Sequence, residues 1–244
     1  MPKSIAVVGA GPGLGRAVAR RYAREGYTVV PIARRQEPLD ALAAELTRAG
    51  ATAHPLTADL SDERAVPRLA EQIRARVGSL DAIYYGPSVR GYIPVLDLTA
   101  DQLRDLMPLA VYSLVDLVHE FLPDMLDRKQ GAVLVAMAAG AVQGMPQLSG
   151  TAVLAAQRNY LQALQAEVTE QGVHVGRLYI GAVIEHSAFH QQQETARATG
   201  QPVLDMPVVD PDQLADLLWS MQSSTHEHEV LHPKDLFDRT DQSH

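Results

Sequence analysis

Cysteine is absent from this chain of 244 residues. Its absence excludes a disulfide framework, a thiolate metal site and a thiol nucleophile. We also expect no secretory signal, because Met1-Pro2-Lys3-Ser4 leads directly into an apolar strand-like run. We therefore expect a cytoplasmic protein that is stabilised by an ordinary hydrophobic core.

Positive charge and long apolar runs are scarce as well. The chain has 21 lysine and arginine residues against 29 aspartate and glutamate residues, which gives a formal net charge of −8. This balance argues against a protein that binds nucleic acid or anionic membranes. No uninterrupted apolar run approaches the ~20 residues that span a bilayer. With 46% hydrophobic residues, the composition predicts one globular domain over residues 1–244.

A glycine-rich turn joins the first strand-like run to the first helical pattern. Residues 5–17 read IAVVGAGPGLGRA. Glycines let a backbone turn tightly and approach a ligand, while a helix N-terminus offers unpaired N–H groups to a phosphate. The turn predicts a pyrophosphate-binding site formed by Gly9, Gly13, Leu14 and Gly15. The alternative is a tight strand-to-helix turn that holds no ligand.

Strand-like and helical stretches alternate along the rest of the chain. This order predicts an α/β protein with a doubly wound parallel sheet of about seven strands and helices on both faces. After the first strand, we expect strands over residues 27–33, 51–56, 81–85, 132–137, 173–180 and 229–232. We expect helices over residues 39–49, 62–77, 101–128, 150–171 and 212–223. The stretch 185–210 is polar and reads as irregular, and we expect it to form a mobile lid over a small-molecule substrate.

The order of these motifs resembles the short-chain dehydrogenase/reductase family over nearly the whole chain. The resemblance implies a Rossmann-type fold that binds a nicotinamide dinucleotide. It also implies that Asp59 and Leu60 lie near the adenine ring and that Gly86 belongs to the cofactor site. Besides the glycine turn, the matching landmarks are Asp59-Leu60, Leu80-Asp81, Leu122-Pro123 and Gly131.

The residues after the second strand bear on the choice of cofactor. An NAD site usually carries an acidic residue there, which accepts the ribose hydroxyl groups. This chain has Arg34 and Arg35 instead, and its first acid is Glu37. Because a guanidinium group pairs well with a phosphate, we expect NADP rather than NAD. The alternative is that both arginines are ordinary surface charges.

The catalytic residues that the resemblance implies are missing. In the family, a tyrosine acid acts with a lysine four residues later, an earlier serine and an asparagine on the preceding long helix. Landmarks put these positions at Thr151, Ala155, Ala138 and Ala110. No Tyr-x-x-x-Lys occurs anywhere in the sequence. Threonine without its lysine is a poor general acid near neutral pH, so we expect the standard mechanism not to operate.

Other side chains are candidates for the chemistry. Tyr85 at the end of the fourth strand could donate a proton, or it could simply pack there. Ser113 shares a helix face with Ala110, and Thr151 is expected beside the nicotinamide. His186, with His190 four residues later, could form an acid–base pair or part of a metal site on a helix, or lie on a mobile lid. No third metal ligand is evident, so we expect no metal.

Two long helices carry more apolar residues than one stripe requires. They are predicted over residues 101–128 and 149–170. Each must cover the sheet and a second surface. In the resembled family these helices form an interface between subunits, so we expect a homodimer or homotetramer. A thickly buried helix in a monomer is the alternative.

Three functions remain open. The first is an atypical NADP-dependent oxidoreductase, because the hydride chemistry belongs to the cofactor. Iminium or activated alkene substrates would need less acid help than a ketone. The second is a non-redox isomerase, cyclase or lyase on the same scaffold, and the third is a non-catalytic NADP-binding or interaction protein.

Overall fold

A computed structural model describes residues 2–62, 64–89, 91–224 and 227–237. Its strands are β1 Ser4–Val8, β2 Thr28–Ala33, β3 Leu56–Thr57, β4 Ala82–Tyr85, β5 Gly131–Ala138, β6 Val173–Ile180, β7 Val183–Ile184, β8 Val208–Val209 and β9 Glu229–His232. Its α-helices are α1 Leu14–Arg24, α2 Gln36–Arg48, α3 Ala65–Val77, α4 Ala100–Met107, α5 Ser113–Asp127, α6 Ala152–Val168, α7 Ala188–Ala198 and α8 Pro211–Ser223.

Seven strands form a parallel sheet in the order β3-β2-β1-β4-β5-β6-β9. The predicted seven-stranded doubly wound fold is therefore confirmed. β1 lies between β2 and β4, with Val8 opposite both Ile32 and Tyr85. Because all strands of this sheet run in one direction, the loops after β1, β2, β3 and β4 meet at its carboxyl edge. The two short strands β7 and β8 form a separate parallel pair.

Helices cover both faces of the sheet and bury two apolar clusters. On one face, residues of α1, α2 and α8 pack with strand side chains such as Val7 and Leu134. On the other face, residues of α3, α5 and α6 pack with side chains such as Val8 and Val133. Tyr22 and Trp219 meet edge to face at 5.2 Å between ring centroids, which fastens α1 to α8.

The helical region Ala100–Asp127 is interrupted by a π-turn. α4 passes into a five-residue π-helix, Pro108–Tyr112, and α5 follows directly. Proline has no N–H for the regular helix ladder, and this local widening is one way to accommodate it. The region is long enough, and with a mean hydropathy of 1.3 apolar enough, to cross a bilayer. The sequence did not predict this, because it contains no long uninterrupted apolar run. This is weak support for a membrane span, because core helices pass the same test.

Much of the surplus apolar surface on the two long helices is covered within the single chain. Leu114, Leu117 and Leu161 are at most 1% exposed, while Tyr112 remains 43% exposed. The three leucine side chains are covered within one chain, and the expected homodimer or homotetramer remains a prediction.

The stretch 185–210 departs from the prediction of irregular structure. It contains the eleven-residue helix α7, whose start is capped by Ser187 through the backbone N–H of His190. β3 is also shorter than predicted, with only Leu56–Thr57 and an isolated bridge between Val29 and Ala53. Both differences arise where the hydrophobic pattern is weak and local hydrogen bonds decide the conformation.

Candidate functional site

The glycine turn lies at the carboxyl edge, between β1 and α1. The N–H groups of Gly9 and Ala10 both donate to the carbonyl oxygen of Ile32, each at 3.0 Å. Gly9 has a φ of 90° and Gly13 a φ of 92°, a region that disfavours residues with a side chain. Gly13 precedes α1, and no side chain among the described residues caps that helix. The N–H group of Arg16 donates to the carbonyl oxygen of Gly11, and those of Leu14 and Gly15 are available to an anionic ligand.

Close backbone packing explains the need for glycine at positions 9 and 15. A Cβ atom at Gly15 would overlap the carbonyl oxygen of Gly9, so α1 can approach the turn only without one. A Cβ atom at Gly9 would come within 2.8 Å of the carbonyl group of Gly86 and of the nitrogen of Pro87. The turn thus rests against the end of β4, with Gly86 directly beside it.

The residues expected at the adenosine end lie on β2 and after β3. Arg34 and Arg35 follow β2 directly and are exposed, and neither forms an ion pair within the described ranges. Asp59 is exposed and accepts a hydrogen bond from the N–H of Ser61 at 3.1 Å. Leu60 is buried, at 4% exposure. These positions form one rim next to the glycine turn, since β2 and β3 follow β1 on the same side of the sheet.

Tyr85 is buried in the interior, which corrects its candidacy as a proton donor. Its ring is 1% exposed, and its hydroxyl donates to the carbonyl oxygen of Leu109 in the π-turn. Burial raises the pKa of the phenol well above its usual value. A buried phenol that is already hydrogen-bonded is a structural tie between β4 and the π-turn.

Ser113 is also a structural tie, which corrects its candidacy for catalysis. Its side chain is fully buried at the start of α5. Its hydroxyl donates to the carbonyl oxygen of Leu60 at 2.7 Å. The bond holds α5 against the loop after β3, so the hydroxyl is not presented to a substrate.

Thr151, which the sequence landmarks assign to the tyrosine position, lies directly before α6. It is 5% exposed, and its hydroxyl donates to the carbonyl oxygen of Leu148 at 2.6 Å. A Cβ atom at Gly140 would overlap this hydroxyl, so Thr151 packs directly on the segment after Ala138. Thr151 therefore lies close to Gly140, two residues after Ala138.

Gln157 was missed by sequence reasoning. This side chain on α6 is 2% exposed, and its amide nitrogen donates to the carbonyl oxygen of Ala110. Gln157 and Tyr85 thus bind neighbouring carbonyl groups of the π-turn from two different elements. The signal in the sequence was a glutamine among the apolar residues of one helix face, because an amide that is buried there needs a hydrogen-bond partner.

His186 and His190 do not share a helix face, because α7 begins only at Ala188. His186 is exposed, with a φ of 62°, and its backbone N–H donates to Nδ1 of His190 at 3.3 Å. The expected acid–base pair of imidazoles is therefore corrected. Within the described part of the chain, no group of three or more suitable side chains could hold a metal ion.

The turn before α7 lies over the glycine turn. A Cβ atom at Gly13 would lie 3.3 Å from Cβ of Ser187 and 3.4 Å from the carbonyl oxygen of Glu185. His186 belongs to the same turn. The segment that the sequence marks as a lid therefore contacts the start of α1.

Cavity size does not locate this site. A cavity of about 800 Å³ lies beside the start of β9 and is lined by polar residues that include Arg177 and Glu229. A second cavity, of about 300 Å³, lies at the amino edge of the sheet and is lined by residues that include Asp81 and His174. None of the predicted site residues lines either cavity, so the site is defined by backbone geometry and charge.

Comparison with known proteins identifies the class. The family model described as short chain dehydrogenase matches residues 3–196. The chain therefore belongs to the short chain dehydrogenase family.

Two individual relatives match the chain at 30% and 33% identity. The chain is 30% identical over 181 residues to a fatty acyl-CoA reductase of Mycobacterium tuberculosis, which covers 72% of this chain and 62% of that protein. It is 33% identical over 140 residues to an NADPH-dependent pterin aldehyde reductase of Arabidopsis thaliana, which covers 57% of each. The match thus spans about three fifths of the length of these relatives.

Solved structures share the fold. L-Sorbose reductase of Gluconobacter frateurii, complexed with NADPH and L-sorbose, superposes with a TM-score of 0.83 at 19% identity over 94% of both chains. An alcohol dehydrogenase of Thermococcus sibiricus, complexed with 5-hydroxy-NADP, gives a TM-score of 0.77 at 20% identity over 94% of this chain and 95% of that one.

Proposed function

We propose that this chain is an NADP(H)-dependent oxidoreductase that acts on a small molecule without the usual tyrosine–lysine acid. The glycine cradle, formed by Gly9, Gly13 and Gly15, carries the proposal. It leaves the first N–H groups of α1 open to a diphosphate, and a side chain at Gly15 would clash with the Gly9 backbone and disrupt the cradle. The residues present therefore fit a dinucleotide.

Charge favours NADP over NAD. Arg34 is exposed beside the cradle at the end of β2, where a 2′-phosphate on the adenosine ribose would lie. A guanidinium group can bind such a phosphate through two hydrogen bonds. The NADP(H) ligands of the two solved structures support the same choice. NADPH would supply the hydride, and the residues of this chain would bind and orient the cofactor.

Proton supply separates this chain from a standard member. Thr151 and Ala155 stand at the tyrosine and lysine positions, and the threonine hydroxyl already donates to Leu148. The Tyr85 hydroxyl already donates a hydrogen bond to the carbonyl oxygen of Leu109. The proton therefore comes from solvent or from the substrate. Iminium ions and activated alkenes suit such a site better than ketones, because they develop less negative charge on oxygen.

Stopped-flow oxidation of NADPH tests this reaction. Matched cyclic ketones, imines and enones are mixed with the NADPH complex. Without a general acid, ketones should react about 100-fold or more slowly than the activated substrates. A ketone that reacts as fast as its matched imine would contradict the missing-acid mechanism.

A non-catalytic NADP-binding protein is the second candidate. It is favoured by the alanines Ala110, Ala138 and Ala155, which we assign to the asparagine, serine and lysine positions of the family. Tight NADPH binding with no oxidation by any member of the panel would select this candidate. Conversion of a substrate without NADPH oxidation would instead indicate an isomerase, cyclase or lyase on the same scaffold.

The lid and the assembly belong to the same proposal. We infer that the segment 185–210 opens to admit ligands, since its first turn contacts Gly13. The long helices would join two or four chains, with the exposed Tyr112 at the contact. Sedimentation equilibrium tests the assembly, and a monomer at all concentrations would overturn it.

A further inference from the structure

Tyr84 and Tyr85 are neighbours in β4, and their side chains alternate between the two faces of the sheet. Tyr85 packs with the apolar residues beneath α5, whereas Tyr84 packs with those beneath α1, among them Leu14. Both rings are 1% exposed. The two phenols therefore form an internal pair for comparison, with similar burial on opposite faces.

The Tyr84 hydroxyl reaches the carboxyl edge of the sheet. A Cβ atom at Gly86 would overlap this hydroxyl, so the phenol oxygen occupies the space beside the Gly86 backbone. Gly9 also packs against that backbone, so closely that its own Cβ atom would come within 2.8 Å of the Gly86 carbonyl group. The hydroxyl is thus built into the end of β4, next to the glycine turn.

This hydroxyl forms no hydrogen bond to any residue that the structure describes, and it is not among the fully buried polar atoms without a partner, so its oxygen keeps some access to solvent. Burial raises the pKa of Tyr84 above its usual range, so the phenol keeps its proton and acts as a donor. In the ligand-free protein water can therefore bond to this hydroxyl, and a ligand bound at the same edge can take the place of that water. Phenylalanine would fill the same space without offering a donor.

We propose that Tyr84 donates a hydrogen bond to an oxygen of the nicotinamide half of the bound dinucleotide, in its ribose or the adjoining phosphate. The inference rests on the proposed function. Arg34 and Asp59, on the adenosine side, follow β2 and β3, whereas β4 adjoins β1 on its opposite side. A group at the end of β4 therefore meets the half of the cofactor that lies beyond the diphosphate.

Tyr84→Phe tests the contact with two ligands and one stability measurement. NADPH should bind about tenfold more weakly, which corresponds to the loss of one hydrogen bond. The fragment 2′,5′-ADP lacks the nicotinamide half, so its affinity should stay within about twofold. The ligand-free variant should be about as stable as the wild type in urea unfolding, because the hydroxyl that it loses bonds to no protein group.

Tyr85→Phe is the matched control. It removes the bond to Leu109, so the ligand-free protein should become less stable while the ratio of NADPH to 2′,5′-ADP affinity stays constant. Three results would overturn the inference: an unchanged NADPH affinity in Tyr84→Phe, an equal loss for both ligands, or a ligand-free destabilisation like that of Tyr85→Phe. A wild-type chain that binds neither ligand would overturn the proposed function itself, together with this contact.

Discussion

Ser187 lies against Gly13, with its Cβ atom 3.3 Å from the place where a Cβ atom of Gly13 would be, so the turn that begins α7 covers the turn that begins α1. The two residues belong to distant parts of the sequence, and each marks the N-terminus of a helix. A diphosphate bound at Gly13 must displace the α7 turn or lie alongside it. The dynamics of α7 and ligand binding are therefore expected to be coupled.

Ser187→Ala should loosen α7 without unfolding the protein. The Ser187 side chain accepts the N–H of His190 at 3.0 Å, and loss of such a cap destabilises a helix by about 1 kcal/mol. Amide hydrogen exchange over residues 188–198 should accelerate about fivefold, while the urea midpoint changes little. Ser187→Asp keeps a capping oxygen and should exchange at the wild-type rate. Equal exchange in all three proteins would contradict the capping role.

Gly15→Ala should disrupt the cradle severely. The added Cβ atom overlaps the Gly9 carbonyl oxygen, which belongs to the backbone and cannot rotate away. We expect a loss of about 3 kcal/mol in the free energy of unfolding. Gly11→Ala is the control in the same turn, because no atom lies within 4 Å of the place that its Cβ atom would take, and it should change stability by less than about 0.5 kcal/mol. Similar losses in both variants would refute the packing account.

His174 should make stability depend on pH between about 5 and 6.5. Burial, the charge of the stacked His228 and the charge of Arg177 lower the pKa of His174 to about 4. In this range the unfolded chain binds a proton that the folded protein does not, so stability falls as the pH decreases. Below pH ~5 the carboxyl groups of Glu45 and Glu229, whose pKa values are lowered, add their own losses.

His174→Gln isolates this contribution. Urea unfolding of the variant at about pH 7, 6 and 5 should give a flatter dependence of stability on pH than the wild type. The slope is the readout, so a constant loss of stability in the variant does not affect the comparison. An unchanged slope would mean that His174 titrates normally in the folded protein.

The glycine turn and the parallel sheet could be predicted from the sequence because their signals are local. Backbone freedom at Gly9 and Gly13 and the apolar runs of β1, β5 and β6 need no knowledge of distant residues. The helix α7 also had local signals, with Ser187 before it and Gly200 after it, but the polar composition of the stretch concealed them.

The roles of individual hydroxyl groups could not be predicted, since their partners lie on other elements. Tyr85 bonds to Leu109, and Ser113 bonds to Leu60 across the interior. The alternation of β4 indicates that its two tyrosines face opposite sides, yet only the structure reveals which one is satisfied. The π-turn Pro108–Tyr112 likewise accepts hydrogen bonds from Gln157 and Tyr85, which lie on other elements.

Titration of wild-type protein and Arg34→Ala with NADPH and NADH, followed by the fluorescence of the single tryptophan, tests the central claim most directly. The wild type should bind NADPH at least about tenfold more tightly than NADH. Arg34→Ala should lose that preference without change toward NADH, whereas Arg48→Ala, at the far end of α2, should behave as the wild type. Absence of binding to either nucleotide, or a preference for NADH, would contradict the account.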